Sequence, residues 1–371
     1  MKGILTIAIL FFSYFYANAQ NNRSQFRSGI QFSRLLKHSP NLRINPEGIG
    51  GIFDFAVFKT VNGSKDWHHE LQFPRYGLLC KYLYLGKPQK ILGNAIGLIP
   101  FIDLTINKRK SSTSYFMIGS GFAYNNRIYN IVSNSDQNAI STHWNNLTSF
   151  EYKYEYSILS KLNIYFGLSM THISNGAYKA PNLGLNYLSI IAGLSQKNLQ
   201  RSLTPTDSLK SGTKWMTGIN YGYAVKEHEI SGGPKFIVQN INFESGYFYR
   251  KYKVVKAGFD VEHHSFASYV QAHDFKNENI KDAFYQGLRV HVFAAHEWLF
   301  GPLSIETRLG YQIKKRTVWA GVPFYSKLIF QYHIPVTFVQ GLQFGLGISL
   351  KAQWADAEYM NVLLGLRYNI K

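Results

Sequence analysis

The chain of 371 residues has a single cysteine, and beyond its N-terminal segment no apolar run reaches the roughly 20 residues that a membrane-spanning helix needs. Cys80 has no second cysteine to pair with, so a fold held together by internal disulfides is excluded. The absence of long apolar runs excludes spanning helices. It does not exclude membrane strands, in which apolar and polar side chains alternate.

Acidic residues are also scarce: 21 Asp and Glu stand against 40 Lys and Arg, which gives a formal net charge of +19. In a soluble protein this balance would suggest a nucleic-acid partner. Here the basic residues are scattered, their densest cluster is Lys108-Arg109-Lys110, and no basic helix with interleaved aromatic residues is present. We therefore expect no nucleic-acid partner and, instead, attraction to an anionic lipid surface.

The first 19 residues are predicted to be a cleaved signal peptide. Lys2 supplies the positive start, residues 4–16 form an apolar core, and Ala17-Asn18-Ala19 is a small-x-small cleavage site. This segment is too short and wrongly flanked to be retained as a membrane span. We expect the mature chain to begin at Gln20.

Aromatic residues are abundant, with 26 Tyr and 27 Phe, and the chain contains 31 Gly but only 11 Pro. This composition is typical of membrane strands that have one apolar face and aromatic girdles at the interfaces. Residues 150–158 alternate accordingly, with apolar and aromatic side chains on one face. Glu151, Lys153 and Glu155 share the opposite face, which predicts an ion network inside a barrel.

The same alternation recurs in residues 255–262, 303–312 and 360–370. Charges on the inner face indicate a membrane barrel with a polar lumen, because a water-soluble barrel would turn its apolar face inward. We predict an all-β fold over residues 20–371, a transmembrane antiparallel up-and-down β-barrel of about 12–16 strands. Residues 202–212 are the only plausible boundary, and we do not expect them to divide two barrels.

The predicted strand at residues 162–174 carries polar side chains where apolar ones are expected. Leu168 and Met170 lie on its lipid-facing side, and His172 and Ser174 continue that face. Residues two apart on one face of a strand lie about 6.5–7 Å apart, which allows an imidazole to reach a hydroxyl. A serine nucleophile and its general base require such a pair. Without further context, interfacial polarity would be the simpler interpretation.

The next predicted strand supplies a third polar residue, Asn186, at the start of a lipid-facing row. Pairing Asn186 with His172 places Met170 opposite Leu188, which is a sensible register. The Asn186 amide would then fix the imidazole tautomer, although it stabilises an imidazolium less than a carboxylate would. Residues 175–184, between the two strands, are rich in small residues and turn formers that could present backbone N–H groups to an oxyanion.

The chain resembles the lipid A 3-O-deacylase (PagL-like)/acyloxyacyl hydrolase family of outer-membrane β-barrels over about residues 25–197. The motifs that carry the resemblance are Thr171-His172-Ile173-Ser174-Asn175-Gly176 and Pro181-Asn182-Leu183-Gly184-Leu185-Asn186, with Phe73-Pro74-Arg75-Tyr76-Gly77 and Ile99-Pro100-Phe101-Ile102 in the N-terminal half.

The resemblance implies a carboxylic ester hydrolase of the bacterial outer membrane that removes an ester-linked acyl chain from lipid A. It implies Ser174 as the nucleophile and His172 as the base. Asn186 is expected to orient His172, but it departs from the family pattern, which has a glutamate there. The residues that the resemblance implies near the oxyanion or in the matching turn are Asn175, Gly176, Ala177 and Asn182.

A second resemblance is to outer-membrane phospholipase A, which also has His-x-Ser-Asn-Gly with an asparagine twelve residues after the serine. Ser174 and Asn186 have that spacing. The calcium-binding arginine of that family, three residues after the serine, is matched here by Ala177. The identity of the substrate, lipid A or a phospholipid of the outer leaflet, therefore stays open.

A porin-like barrel without catalytic activity is the alternative from another class of protein. The outward placement of His172 and Ser174 argues against it, because a channel needs its polar residues inside. We expect no cofactor and no metal, since the histidine pairs His263-His264 and His291/His296 lack further ligands at favoured spacing. The expected partners are lipopolysaccharide or phospholipid, and homodimerisation stays open.

Overall fold

The computed structural model describes residues 24–86, 88–197, 214–227, 231–273, 284–314, 323–353 and 356–370, so the predicted signal peptide lies outside it. The described part of the chain groups into two compact units. The first comprises the described residues up to Asn175 together with 183–197, and the second comprises Gly176–Asn182 and the described residues from 214 onward.

The strands of the first unit form one closed barrel in which each strand pairs antiparallel with the next along the chain. The barrel closes where the first strand pairs with the eighth, with Gly29 opposite Gly193. Its strands are β1 (Gln25–Leu35), β2 (Gly50–Thr60), β3 (Arg75–Tyr84), β4 (Asn94–Lys108), β5 (Ser112–Asn125), β6 (Trp144–Ser157), β7 (Leu162–Ser174) and β8 (Leu185–Gln196); two short helices, α1 (Asp66–Glu70) and α2 (Gln89–Leu92), lie in its connections.

The strands of the second unit close a second barrel in the same way, with the ninth strand paired to the sixteenth and Asn220 opposite Gly365. Its elements are β9 (Trp215–Glu227), β10 (Lys235–Arg250), β11 (Lys253–His264), α3 (Ser265–His273), β12 (Leu288–Phe300), β13 (Leu303–Lys314), β14 (Phe324–Pro335), β15 (Leu342–Gln353) and β16 (Asp356–Ile370). Within the described residues, no helix is long and apolar enough to cross a membrane.

The predicted fold class is confirmed: the described part of the chain is nearly all-β, its strands are antiparallel, and they close into barrels. The expectation of a single barrel, undivided at residues 202–212, is wrong. Alternation in the sequence identifies strands but does not say which strand β8 pairs with on its free side. That partner is β1 rather than β9, so the first eight strands close on themselves. Residues 202–212 themselves lie outside the described part.

Side chains of the strands alternate between an apolar outer face and a polar inner face. On β7, Phe166 and Leu168 are 54% and 56% exposed, whereas Ser169 and Thr171 are buried on the inner side. On β11, Phe259 is half-exposed while Asp260 is buried. An outer wall of this kind suits a lipid environment, as the sequence pattern indicates.

The middle of the first barrel is filled by ion pairs. Glu151 lies 2.8 Å from the Lys81 ammonium and 3.0 Å from that of Lys153, and Asp103 lies 2.7 Å from the Arg27 guanidinium. Glu151, Lys153 and Glu155 are thus the interior network that their alternation predicts. The buried charges among the described residues of this barrel balance, with four cations and four carboxylates: Arg27, Arg75, Lys81 and Lys153, and Asp54, Asp103, Glu151 and Glu155.

The interior of the second barrel is filled by a larger network. Lys256 lies 2.6 Å from Glu244 and 2.5 Å from Glu306, and Lys351 lies 2.6 Å from Glu262. An eight-stranded barrel is just wide enough for side chains to fill its interior. Among the residues that the structure describes, the ion pairs of this barrel join six cations and six carboxylates: Lys256, Arg289, Arg308, Lys327, Lys351 and Arg367, and Glu244, Asp260, Glu262, Glu297, Glu306 and Glu358.

One end of the first barrel contains an apolar core instead of charges. Connecting segments contribute Leu42 and Ile140, and the ends of β7 and β8 contribute Ile173 and Leu185, all at most 1% exposed. Ile173 points inward between His172 and Ser174, so packing against this core fixes the backbone that carries both side chains.

We predict that Glu151→Gln destabilises the protein strongly, because Lys81, Lys153 and Arg27 would keep buried charges with fewer partners. The free energy of unfolding should fall by about 3–5 kcal/mol. Urea unfolding in phospholipid bilayers, followed by tryptophan fluorescence, measures it. The matched control is Glu47→Gln at an exposed position, which should change the free energy by at most about 0.5 kcal/mol. Equal unfolding midpoints for the two variants would contradict the role of the network.

Candidate active site

The end of β7 places His172 and Ser174 on the outer side of the strand, in line with the exposed side chains of Leu168 and Met170. The two residues are separated by Ile173, whose side chain points into the apolar core. Alternation along an extended strand therefore brings both polar groups to one face.

Hydrogen bonds join the imidazole to both of its predicted partners. The Nε2 atom of His172 lies 2.9 Å from Oγ of Ser174, and its Nδ1 atom lies 2.6 Å from Oδ1 of Asn186. Because an amide oxygen only accepts, Nδ1 carries the proton, and Nε2 is left to accept the serine hydroxyl proton. This tautomer is the one that a general base beside a serine nucleophile needs.

The register of β7 on β8 accounts for the third contact. His172 pairs directly with Asn186, and Met170 pairs with Leu188, as the alternation of the two strands predicts. Directly opposite residues on one face have Cβ atoms about 4.5–5.5 Å apart, a distance that short side chains span. The three residues singled out in the sequence are therefore brought together by sheet geometry alone.

The site is less open than a lipid-facing row would suggest. Ser174 is 1% exposed and Asn186 is 6% exposed, whereas His172 is half-buried. Burial removes competing water from the hydrogen bonds that orient the imidazole.

The end of the β7–β8 connection packs against the imidazole. Gly184 has a φ of +77°, and a Cβ atom there would lie 2.9 Å from Cε1 of His172 and 3.6 Å from Cβ of Ser174. The Gly184 N–H donates to the carbonyl oxygen of Ala139, and Nε2 of His38 lies 2.9 Å from the carbonyl oxygen of Leu183. Two other connections of the first unit thus hold this segment in place.

The residues predicted to lie near the oxyanion are in the turn that follows Ser174. Nδ2 of Asn175 donates to Oγ of Ser141 over 2.9 Å. Gly176 and Ala177 both have left-handed backbones, with φ of +63° and +64°, which turn the chain sharply after the serine. Gly176, Ala177 and the half-buried Asn182 belong to the segment that groups with the second unit. The role of these residues near the oxyanion stays a prediction.

A row of polar side chains on β5 and β6 was not predicted from the sequence. Thr148 pairs with His172 and Asn146 pairs with Ser174, which puts both on the outer face beside the site. Oδ1 of Asn146 accepts from the Thr148 hydroxyl over 2.8 Å, and its Nδ2 donates to Oγ of Ser120 over 2.9 Å. Phe150 and the aromatic residues after it lie on the outer face of β6. Counting back from Phe150 in steps of two residues gives Thr148 and Asn146, so the alternation could have predicted this row.

Two family models match this chain. Residues 53–195 match the family described as Lipid A 3-O-deacylase (PagL), and residues 209–371 match Acyloxyacyl hydrolase, C-terminal domain. Both are families of hydrolases that act on acyl esters, and closed β-barrels of this kind are consistent with an outer-membrane protein. Together the two matches cover most of the chain, so the resemblance to the lipid A 3-O-deacylase (PagL) and acyloxyacyl hydrolase families that the sequence motifs indicate is confirmed.

No curated protein matches the chain. Among solved structures, a chain described as "Asymmetric conductivity of engineered proteins" is similar at 10% identity, with 94% of this chain and 99% of that chain covered and a TM-score of 0.21. A triple mutant of Rhodopseudomonas blastica porin is similar at 9% identity, with the same coverage and a TM-score of 0.18. At these TM-scores neither similarity carries an argument about this chain.

We predict that Gly184→Ala abolishes most acyl-ester hydrolysis, because the new Cβ would press on the His172 ring. A displacement of about 1 Å in a catalytic group costs roughly 100-fold in rate. The matched control is Gly48→Ala, since Gly48 has a similar φ of +73° but no atom within 4 Å of the added Cβ. Both variants should lose similar stability in thermal unfolding, and only Gly184→Ala should lose activity. Equal activity of the two variants would argue against the packing described here.

Proposed function

We propose that this protein is an outer-membrane serine esterase that hydrolyses an ester-linked acyl chain of lipid A in the outer leaflet. Ser174 is the nucleophile, His172 the general base, and Asn186 the residue that orients the imidazole. The observation that carries the proposal is the unbroken chain of contacts from Oγ of Ser174 through His172 to Asn186, with distances of 2.9 and 2.6 Å.

The proposed reaction follows from these contacts. Oγ of Ser174 attacks the ester carbonyl carbon while Nε2 of His172 takes the hydroxyl proton. The tetrahedral intermediate then breaks the bond to the sugar oxygen, which leaves with the proton from His172. Water, deprotonated by the same Nε2, attacks the acyl-serine and releases the fatty acid and the free Ser174 hydroxyl. Asn186 accepts the Nδ1–H bond throughout and so keeps Nε2 directed at Ser174.

In this proposal, the turn after Ser174 stabilises the negatively charged oxygen of the tetrahedral intermediate. Backbone N–H groups in a tight turn can bind an anion. Gly176 and Ala177 lie in this turn with left-handed backbones, and Asn175 contributes an amide whose orientation is set by Ser141.

The outward parity of the site supports a lipid substrate over a dissolved one. His172 and Ser174 continue the row of Leu168 and Met170, so an acyl chain lying along this apolar row would end at the nucleophile. A substrate embedded in the outer leaflet would reach the site sideways, without entering the barrel. This access supports lipopolysaccharide or phospholipid as the partner.

The filled interiors of the two barrels do not support the porin-like alternative. Among the described residues of both barrels, buried ion pairs occupy the interior, where a conducting path would have to run. An open aqueous channel requires a wider barrel, such as that of porins with 16–18 strands.

Phospholipase activity is a second candidate, and one contact favours it. Asn186, and not a glutamate, receives the Nδ1 hydrogen bond of His172, as the resemblance to outer-membrane phospholipase A implies. Ala177 stands against this candidate, because it carries no side chain that could help bind calcium in place of the arginine of that family.

The proposal is tested by incubating the refolded protein with lipid A and, separately, with phospholipid, and identifying the released acids by mass spectrometry. We expect release of an ester-linked acid from lipid A. Ser174→Ala should reduce it at least about 1,000-fold, because the covalent route is lost. The matched control is Ser169→Ala, on the inner face of the same strand, which should keep nearly full activity.

Undiminished release by Ser174→Ala would refute the assignment of the nucleophile. Release from phospholipid but not from lipid A would replace the first candidate by the second.

A further inference from the structure

The outer face of the first barrel carries a continuous polar strip that the reaction proposed above does not use. Ser120 on β5 and Asn146 and Thr148 on β6 lie where lipid-facing side chains are expected. Asn146 and Thr148 are 8% and 4% exposed, whereas their apolar or aromatic neighbours Phe122 and Tyr152 on the same faces are 70% and 43% exposed. A polar group on a lipid-facing wall is unfavourable unless it has hydrogen-bond partners, so the strip needs an explanation.

The three side chains form one closed hydrogen-bond cluster. The Thr148 hydroxyl donates to Oδ1 of Asn146, Nδ2 of Asn146 donates to Oγ of Ser120, and Oγ of Ser120 lies 2.9 Å from Oγ1 of Thr148. These contacts fix the rotamers, so the donors and acceptors of the strip are held in a set arrangement. A preorganised cluster of an amide and two hydroxyls can exchange its bonds with a ligand at low entropic cost.

The cluster is aligned with the candidate catalytic residues by strand pairing. Asn146 is directly opposite Ser174, and Thr148 is directly opposite His172. Directly paired residues have Cβ atoms about 4.5–5.5 Å apart on the shared face. Part of a substrate whose ester carbonyl lies at Ser174 would therefore lie over Asn146 and Thr148.

The chemistry of the strip restricts the ligand. Its three members are neutral and supply both donors and acceptors, which matches the hydroxyl and amide groups of a sugar. A phosphodiester headgroup would instead call for arginine or lysine, and no cationic side chain is among the three residues of the cluster.

We propose that Ser120, Asn146 and Thr148 form a subsite that binds the sugar headgroup of the substrate and selects acylated sugars over other acyl esters. The inference rests on the proposed function, because it places the sugar by reference to an ester at Ser174. The three side chains bind the headgroup and take no part in bond breaking. Their loss should weaken substrate binding and leave the chemical step intact.

The kinetic experiment compares two substrates that carry the same acyl chain: a glucosamine monosaccharide acylated at its 3-hydroxyl, and the p-nitrophenyl ester of the same acid. Thr148→Val is the main variant, because it replaces a hydroxyl by a methyl group of the same shape, and Asn146→Leu is the second. For the sugar ester, each should raise KM about 3- to 10-fold, the loss of one net hydrogen bond, with kcat within about twofold. For the p-nitrophenyl ester, KM should not change.

The control variant is Thr105→Val, on β4 and away from the strip, which should leave both substrates unaffected. Equal changes of KM for the two substrates, or no change for either, would overturn the subsite. A fall in kcat for both substrates would also overturn it, because it would indicate that the cluster only supports the fold around His172.

A binding measurement separates this inference from the proposed function. Isothermal titration of the glucosamine lipid into Ser174→Ala protein in detergent micelles measures its affinity without hydrolysis. The double variant Ser174→Ala/Thr148→Val should bind the same lipid about 3- to 10-fold more weakly. If the wild-type protein binds the lipid through Thr148 but hydrolyses neither substrate, the esterase proposal fails and the subsite stands. If hydrolysis depends on Ser174 but Thr148→Val leaves binding unchanged, the subsite fails alone.

Discussion

Every backbone N–H and C=O group of a strand in lipid needs a partner on a neighbouring strand, because no water is available to replace it. Both units meet this requirement by closing after eight strands, β1 on β8 and β9 on β16. A barrel of this size has an interior just wide enough for side chains. Closure therefore forces the interior to be filled. The described charges there lie in ion pairs such as Lys81–Glu151 and Lys351–Glu262, because unpaired buried charges are costly.

The closure of the barrel also explains why the polar residues of the candidate site differ from the rest of the outer face. A closed barrel with a packed interior needs only apolar side chains on its outer wall, so a polar group there serves some other purpose. In the first barrel such groups lie side by side across four strands. They run from Ser120 on β5, through Asn146 and Thr148 on β6 and His172 and Ser174 on β7, to Asn186 on β8. The ion pairs inside stabilise the barrel, and the polar side chains on its outer face are the groups to which the proposed chemistry is assigned.

The sequence predicts the parts of this structure that depend on local alternation. The strands follow from their period of two, and the contact of His172 with Asn186 follows from matching the apolar rows of β7 and β8. The closure of two barrels could not be predicted, because the free edge of β8 fits β1 and β9 equally well by pattern. The burial of Ser174, which is 1% exposed, could not be predicted either, because alternation places this residue on the outer face of its strand. The family resemblance supplied the turn residues, but not the strip on β5 and β6.

The central claim is that His172 activates Ser174 as a nucleophile on the outer wall of the first barrel. Labelling the refolded protein with an alkyl fluorophosphonate tests it most directly, because this reagent forms a covalent adduct with an activated serine and releases fluoride. Peptide mass spectrometry should find one adduct, at Ser174, in the wild-type protein and almost none in His172→Ala. Labelling of His172→Ala at the wild-type rate, or no adduct at Ser174 in protein that hydrolyses acyl esters, would contradict the account.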